Sequence, residues 1–352
     1  MDSNAKEVPA LLEMIQAGTM TIETGLELVT RLQQLDKPQE AYTALLLMVE
    51  KTPDSIPALM HLAKQAYLLG KHENSCEYYR RVIKLRPDKF PDIYPRLVRA
   101  LLSAGHHADA LDYCEKALTI NPTQRFALAF KYIALANLGD MNNAQAIINP
   151  EEYVKRVKPE CPPGFDSIAD FNAYLINHIQ HNTKLNRDPP QYSTHGGWQS
   201  EFRKLFENNV ALGRTMLDFI GKAQDKYLRL IPADYIRQSA WEGFGKKSRS
   251  IEVWAVVLEQ QGAQDPHIHP SSWLSGAYYL EVPDTGDSSN PHAGKFVVGR
   301  GPDFLHTAAE PAPYKIRPEE GTFSIFPSYY WHSTIPVASS TKRICIAFDW
   351  LM

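Results

Sequence analysis

The sequence predicts a two-domain protein in which an all-α repeat region is followed by a helical connector and an all-β domain. Its 352 residues are more than one hydrophobic core usually organises. One set of positions recurs at a fixed period in the first half, and short β-rich runs fill the last hundred residues. We therefore expect residues 1–150 to form helical repeats, 151–250 to connect and brace the second domain, and 251–352 to form its core.

The first half of the chain repeats every 34 or 35 residues. A glycine turns the chain between two helices, and a small residue lets the second helix cross the first closely. These positions are Gly70, Gly105 and Gly139 for the glycine, and Ala41, Ser75, Ala110 and Ala144 for the small residue. The period is that of the tetratricopeptide repeat, and residues from about 20 to 150 resemble four such repeats, with Asp36 where the first glycine would fall. Because repeat solenoids present a concave surface, we expect this one to bind a peptide or a protein; stability or self-association alone is the alternative.

The sequence predicts that the middle of the chain is a connector with two helices. A proline-rich stretch at 158–164 marks the boundary, and apolar periodicity predicts helices over 167–182 and 201–230. Between them, residues 186–200 form a polar, glycine-containing stretch that we interpret as a loop, either a lid over a site or a plain connection.

The last third of the chain predicts a β barrel or sandwich. The runs "IEVWAVVLEQQG", "SGAYYLEVP", "KFVVG", "TFSIFPS" and "KRICIAFDW" are short, rich in β-branched and aromatic residues, and separated by Gly, Pro and Asp.

Three histidines in this region form a candidate metal site. His267 and His269 are two residues apart, so both imidazoles lie on one side of an extended chain and can reach one ion. His332 follows after a long return, which is how a barrel brings strands distant in sequence together. Hydrogen-bonded or solvated histidines, and a half-buried strand position for His332, are the alternatives.

Arg343 lies on an apolar strand shortly after His332. Burying a guanidinium is costly unless a carboxylate meets it, and its planar fork binds a carboxylate bidentately. A metal beside this arginine would favour an anionic co-substrate; an internal ion pair with a strand Asp or Glu is the alternative.

The stretches "HIHPSSWLSGAYYLEVP" and "GTFSIFPSYYWHSTIPVASSTKRICIAFDW" resemble the iron(II)- and 2-oxoglutarate-dependent oxygenases, above all bacterial ones in which this domain follows tetratricopeptide repeats. The resemblance implies a double-stranded β-helix, or jelly-roll barrel, braced by helices. It implies iron(II) as the metal and 2-oxoglutarate as the co-substrate. It also implies His267 and His332 as ligands, Arg343 as the clamp on the far carboxylate, and Tyr279 as a hydrogen-bond donor to the co-substrate.

One position departs from that family. His269 stands where most of these enzymes have Asp or Glu. The ligand set would therefore consist of three histidines and would lack the negative charge of that carboxylate. Asp265 is the alternative second ligand; it lies two residues before His267, so the carboxylate would precede the histidine instead of following it. We favour His269 because it keeps the ligand-x-ligand spacing.

The expected activity is oxidation, usually hydroxylation, of an unidentified substrate, with conversion of 2-oxoglutarate and O2 to succinate and CO2. A peptide or protein docked by the repeats would be the substrate. A cupin-like metalloenzyme that does not use 2-oxoglutarate, and a non-catalytic repeat adaptor with an inactive barrel, are the alternatives. The net charge of −3, the ordinary N-terminus and the absence of a long apolar run predict a cytoplasmic protein that binds neither nucleic acid nor membrane.

Overall fold

The computed structural model describes residues 17, 21–86, 92–232, 250–283, 290–305, 312–336 and 341–351. The chain divides into two compact units between Asn121 and Pro122.

The first unit consists of helical hairpins. In its described residues the helices are α1 (Ile22–Gln34), α2 (Pro38–Lys51), α3 (Ile56–Leu68), α4 (His72–Leu85), α5 (Ile93–Ser103) and α6 (His107–Ile120). The predicted turn positions all adopt the left-handed conformation: φ is 71° at Gly70, 81° at Gly105 and 54° at Asp36. Asp36 thus replaces the glycine of the first hairpin, as its place in the period predicts.

The small residues of the period allow the helices of each hairpin to approach closely. Ala41, Ser75 and Ala110 are completely buried. The hydroxyl of Ser75 donates a hydrogen bond of 2.8 Å to the carbonyl of Ala63 on the partner helix, so this one polar residue is satisfied.

The second unit begins with one more hairpin of the same kind. Helices α7 (Arg125–Asn137) and α8 (Met141–Ile147) are joined at Gly139, whose φ is 83°, and Ala144 is completely buried between them. The predicted fourth repeat is therefore present as a helix pair. A short helix, α9 (Pro150–Tyr153), follows it.

The two connector helices differ in how well they match the sequence prediction. Helix α10 (Ile168–Asn182) begins directly after Ser167, whose hydroxyl accepts a hydrogen bond from the backbone N–H of Asp170. Helix α11 (Val210–Leu230) begins nine residues later than predicted, because Arg203 has a φ of 65° and the side chain of Asn209 caps the helix.

In its described residues the β region forms two antiparallel sheets. The strands are β1 (Lys155–Val157), β2 (Leu185–Arg187), β3 (Thr194–Ser200), β4 (Ile251–Gln264), β5 (Ser272–Glu281), β6 (Phe296–Val298), β7 (Tyr314–Ile316), β8 (Phe323–Pro327), β9 (His332–Thr334) and β10 (Arg343–Leu351). The larger sheet has the order β1-β8-β5-β10-β4-β3-β2 and the smaller one β7-β6-β9. Helical repeats followed by an antiparallel sheet domain are thus confirmed.

The stretch predicted as a loop at 186–200 is a strand hairpin at the edge of the larger sheet. Strand β3 pairs with β4, and a side chain on Gly197 would meet the carbonyl of Val257 at 2.6 Å. The glycines that suggested a loop instead permit this close approach of two backbones.

The connector helices cover one face of the larger sheet. Phe219 of α11 packs against Tyr278 and Phe323, with ring centroids 5.0 and 5.1 Å apart. Tyr278 also donates a hydrogen bond of 2.7 Å to Asn172 of α10, whereas Tyr279 points to the other face, into a cluster with Trp254. None of the helices in these described segments is long and apolar enough to cross a membrane.

Helix α7 is joined to the β region by three buried hydrogen bonds. Arg125 donates to the carbonyl of Ser272 at 3.0 Å, Tyr132 donates to the carbonyl of Gly299 at 2.7 Å, and the indole of Trp331 donates to the carbonyl of Ala129 at 3.1 Å. The segment that leads into β9 is therefore braced by the fourth helix pair.

Two truncations test this bracing. A fragment of residues 122–352 keeps α7 and α8, so we expect its unfolding temperature to stay close to that of the same unit in the full chain. A fragment of residues 151–352 exposes Trp331 and leaves buried polar groups without partners, so we expect it to melt at least 10 °C lower or not to fold. Differential scanning calorimetry measures both. Equal unfolding temperatures for the two fragments would contradict the bracing role.

Candidate metal and co-substrate site

The backbone places two of the predicted histidines beside each other. His267, three residues beyond the end of β4, and His332, the first residue of β9, exchange two backbone hydrogen bonds of 3.0 Å. His269 is fixed by its own N–H, which donates to the carbonyl of Ser328 at 2.9 Å. Main-chain pairing therefore brings together histidines that are distant in the sequence.

The three imidazoles form one cluster. Each offers a ring nitrogen, and these nitrogens all lie within 4.8 Å of one another. The ring centroids are 4.1 Å apart for His267 and His332, 4.9 Å for His269 and His332, and 5.1 Å for His267 and His269. This spacing suits three nitrogen ligands around a single ion.

Two of the imidazoles are oriented by backbone carbonyls. Nδ1 of His267 lies 2.6 Å from the carbonyl oxygen of Asp265, and Nδ1 of His332 lies 2.9 Å from that of Tyr330. Because a carbonyl can only accept, each Nδ1 carries the proton and donates it. Nε2 of each ring then carries the lone pair that is available to a metal.

The third imidazole is oriented by a carboxylate. Nδ1 of His269 lies 2.6 Å from Oδ1 of Asp349, and the hydroxyl of Ser275 donates to the same oxygen at 2.5 Å. Both side chains of the His269–Asp349 pair are largely buried, with 16% and 11% of their surfaces exposed. Asp349 and Ser275 were not predicted as site residues, although strand alternation places Asp349 on the same face of β10 as Arg343.

Burial keeps two of the three imidazoles, those of His267 and His332, uncharged. Burial, assisted by the neighbouring His269, lowers the pKa of His267 to about 3, and burial lowers the pKa of His332 well below its usual range. Both imidazoles are therefore neutral near pH 7, which is the form that binds metals.

Asp265 lies at the edge of this cluster. Its side chain is 64% exposed and its Oδ2 lies 2.5 Å from Nε2 of His195. The structure thus gathers His269, and not the Asp265 carboxylate, with the other two histidines.

Arg343 and Tyr279 lie side by side on the neighbouring strands β10 and β5. Arg343 is 2% exposed, its Nη1 is 3.5 Å from the carbonyl of Gly294, and its guanidinium carbon is 5.1 Å from the centroid of the Tyr279 ring. Nε of Arg343 and the hydroxyl of Tyr279 are buried without a hydrogen-bond partner. No carboxylate within the described segments forms an ion pair with Arg343, so the internal pair considered above is not found there.

Burial raises the pKa of the Tyr279 hydroxyl, which the positive charge of Arg343 only partly offsets. This hydroxyl is therefore protonated near pH 7 and able to donate a hydrogen bond. Together the two side chains present a positive charge that has no carboxylate partner in the described residues and a hydroxyl that can donate a hydrogen bond.

One cavity of about 360 Å³ connects the histidine cluster with Arg343, whereas Tyr279 is not among its lining residues. Its lining includes the three histidines, Arg343 and Asp349. The segment suggested as a lid also reaches this cavity: Tyr192 lines it, and the hydroxyl of Ser193 lies 3.4 Å from Nε2 of His267.

An aromatic wall leads outward from the cluster. It consists of Trp254, Phe202 and Tyr192, in this order. The ring centroids are 5.6 Å apart for His269 and Trp254, 4.7 Å for Trp254 and Phe202, and 5.0 Å for Phe202 and Tyr192. These rings limit the access of water to one side of the cavity.

Known proteins resemble this chain in two parts. Residues 252–349 match the family described as "Putative 2OG-Fe(II) oxygenase", and residues 56–89 and 91–124 match the tetratricopeptide repeat. The resemblance predicted from the sequence is thus confirmed: the chain combines tetratricopeptide repeats with a domain similar to the 2-oxoglutarate- and iron(II)-dependent oxygenases. No curated protein matches it.

The solved structures similar to this chain include the following two. A crystal structure of MamA is 22% identical, covers 42% of this chain and 92% of its own, and has a TM-score of 0.36. A crystal structure of a Pseudomonas putida prolyl-4-hydroxylase is 12% identical, covers 61% of this chain and 98% of its own, and has a TM-score of 0.37.

The lowered pKa of the buried histidines predicts how stability depends on pH. In the unfolded chain these histidines take up protons near pH 6.5, whereas in the folded, metal-free protein they do not. The free energy of unfolding should therefore fall as the pH drops from 6.5 toward 4, by about 1.4 kcal/mol per pH unit for each such histidine.

Urea unfolding of the chelator-treated protein at several pH values measures this slope. His332→Asn retains a group that can donate to the Tyr330 carbonyl but does not titrate, so its slope should be smaller. Equal slopes for the two proteins would show that His332 takes up its proton in the folded state as well.

Proposed function

We propose that this protein is an iron(II)- and 2-oxoglutarate-dependent oxygenase that oxidises, in the usual case hydroxylates, an organic substrate. The observation that carries the proposal is the presence, in one cavity, of three clustered imidazoles and a buried arginine that has no carboxylate partner among the described residues. The first group suits a divalent metal and the second an anion, and their proximity suits an anion that also binds the metal.

The donor set fits iron(II). Imidazole nitrogen is a ligand that iron(II) accepts readily, and three protein ligands leave open positions for a chelating co-substrate and O2. His267, His269 and His332 would hold the ion through Nε2, because their Nδ1 atoms are engaged with oxygens. When bound, iron(II) supplies the redox chemistry by which 2-oxoglutarate and O2 become succinate and CO2 while the substrate is oxidised.

Arg343 and Tyr279 would bind the far end of the co-substrate. The guanidinium gives the distal carboxylate of 2-oxoglutarate a charge partner, and the protonated Tyr279 hydroxyl donates a hydrogen bond. Nε of Arg343 and the hydroxyl of Tyr279 are buried without a hydrogen-bond partner, so the co-substrate would relieve part of the cost of burying these two side chains. The need of Arg343 for an anionic partner distinguishes the proposal from a cupin-like enzyme, in which such a buried arginine would have no role.

We further propose that the two sheets form the double-stranded β-helix of this enzyme class. The pairing between His267, which follows β4 of the larger sheet, and His332 on β9 of the smaller sheet supports this closure. In this proposal residues 251–352 are the catalytic core, 151–250 brace it, and the repeats within 1–150 dock a peptide or protein that is the substrate or carries it.

Binding of 2-oxoglutarate tests the anion site. Calorimetry with Mn(II)-loaded protein should show at least 100-fold weaker binding for Arg343→Ala, because a buried charge partner is lost. Tyr279→Phe should weaken binding several-fold to tenfold, which corresponds to the roughly 1 kcal/mol of one hydrogen bond.

Arg300→Ala is the matched control, since Arg300 is an arginine with 53% of its side chain exposed. It should leave the affinity unchanged. Similar affinities for Arg343→Ala and the wild type would exclude Arg343 as the clamp.

Formation of succinate tests the reaction class. With iron(II), O2 and 2-oxoglutarate, the wild type should release succinate and CO2 even without its substrate, slowly, and His332→Ala should not, because it lacks one of three ligands. Bound iron without any succinate would favour a cupin-like enzyme, and a wild type that binds no metal would favour a repeat adaptor.

A further inference from the structure

Asp349 is a buried carboxylate that the proposed reaction does not yet use. It lies on β10 and, like Arg343 on the same strand, faces the cavity. Its Oδ1 accepts hydrogen bonds from Nδ1 of His269 and from the hydroxyl of Ser275. Ser275 stands directly opposite Asp349 on the neighbouring strand β5, so the sheet itself fixes the carboxylate.

The three histidines differ in the partner of Nδ1. His267 and His332 donate to neutral backbone carbonyls, whereas His269 donates to a carboxylate. A carboxylate on Nδ1–H draws the proton toward itself and makes Nε2 a stronger electron donor, so part of its negative charge reaches the metal through the ring. His269 is also the histidine that stands where an acidic ligand would give the centre its negative charge.

We propose that Asp349 supplies, through His269, the negative charge that a three-histidine ligand set lacks. This inference rests on the proposed metal site. Asp349 is a positioning residue in this account, because it acts on the ion only through His269. The centre then resembles a two-histidine, one-carboxylate site whose carboxylate has moved one residue outward.

The arrangement of the strands offers a sharp control. Glu252 on β4 lies directly opposite Asp349 in the β4–β10 register, so the two carboxylates share one face of the sheet. Glu252 is paired with Arg203 at 2.7 Å and makes no contact with a histidine of the cluster in the described structure. Glu252→Gln therefore removes one charge from nearly the same place without touching His269.

The test is anaerobic titration of the metal-free protein with Co(II), read by its visible spectrum. Asp349→Asn keeps the shape of the side chain and an oxygen that can accept from Nδ1, but loses the charge. We expect its Co(II) affinity to fall about 10- to 100-fold, with altered visible bands, while the unfolding temperature of the metal-free protein changes little.

Two controls separate charge from hydrogen bonding. Glu252→Gln should bind Co(II) within about threefold of the wild type. Ser275→Ala leaves the carboxylate in place and removes a hydroxyl that bonds Asp349 and also lies 3.1 Å from Nδ1 of His269. The charge stays, so the loss of Co(II) affinity should be smaller than that of Asp349→Asn. If Asp349→Asn fails to fold, Asp349→Ser, which also offers a neutral oxygen, takes its place in the comparison.

Wild-type affinity and spectrum in the neutral variant would overturn the inference. So would an equal loss in Glu252→Gln, because the effect would then be a general one of nearby charge. Titration with 2-oxoglutarate is a separate measurement. If neither the wild type nor Asp349→Asn bound it, the oxygenase proposal would be weakened, but the comparison of their Co(II) affinities would stay valid.

Discussion

The backbone pairing of His267 with His332 is the contact on which the rest of the site depends. Two hydrogen bonds of 3.0 Å join the chain beyond β4 to the start of β9 and bring their imidazoles to 4.1 Å. His269 then joins them because it lies two residues further along an extended chain. The segment leading to His332 is held in turn by the indole of Trp331, which donates to α7, so the helix pair and the cluster form one connected structure.

Strand β10 carries the charges that give the cavity its chemistry. Arg343 and Asp349 share one face, and each would be costly to bury alone. Asp349 is satisfied by His269 and Ser275, whereas Arg343 has no charge partner among the described residues. This asymmetry is what favours an anionic ligand at one end of the cavity and a cation at the other.

Much of this architecture could be predicted from the sequence. A fixed period in turn and small residues predicts the hairpins even where Asp36 replaces glycine, and strand alternation separates Tyr278 from Tyr279. Two predictions were wrong. The helix does not extend over 201–209, because Arg203 has a positive φ, and 186–200 is not a loop, because Gly197 allows a close backbone contact between β3 and β4. Asp349 could not be predicted, since its meeting with His269 depends on strand register.

The most direct test is an anaerobic visible spectrum of the iron(II)-loaded protein before and after addition of 2-oxoglutarate. We predict a new metal-to-ligand charge-transfer band, because a keto acid held by Arg343 would chelate iron bound to the three histidines. A spectrum that does not change, although iron and 2-oxoglutarate are both bound, would contradict it, since the two groups would then occupy separate places.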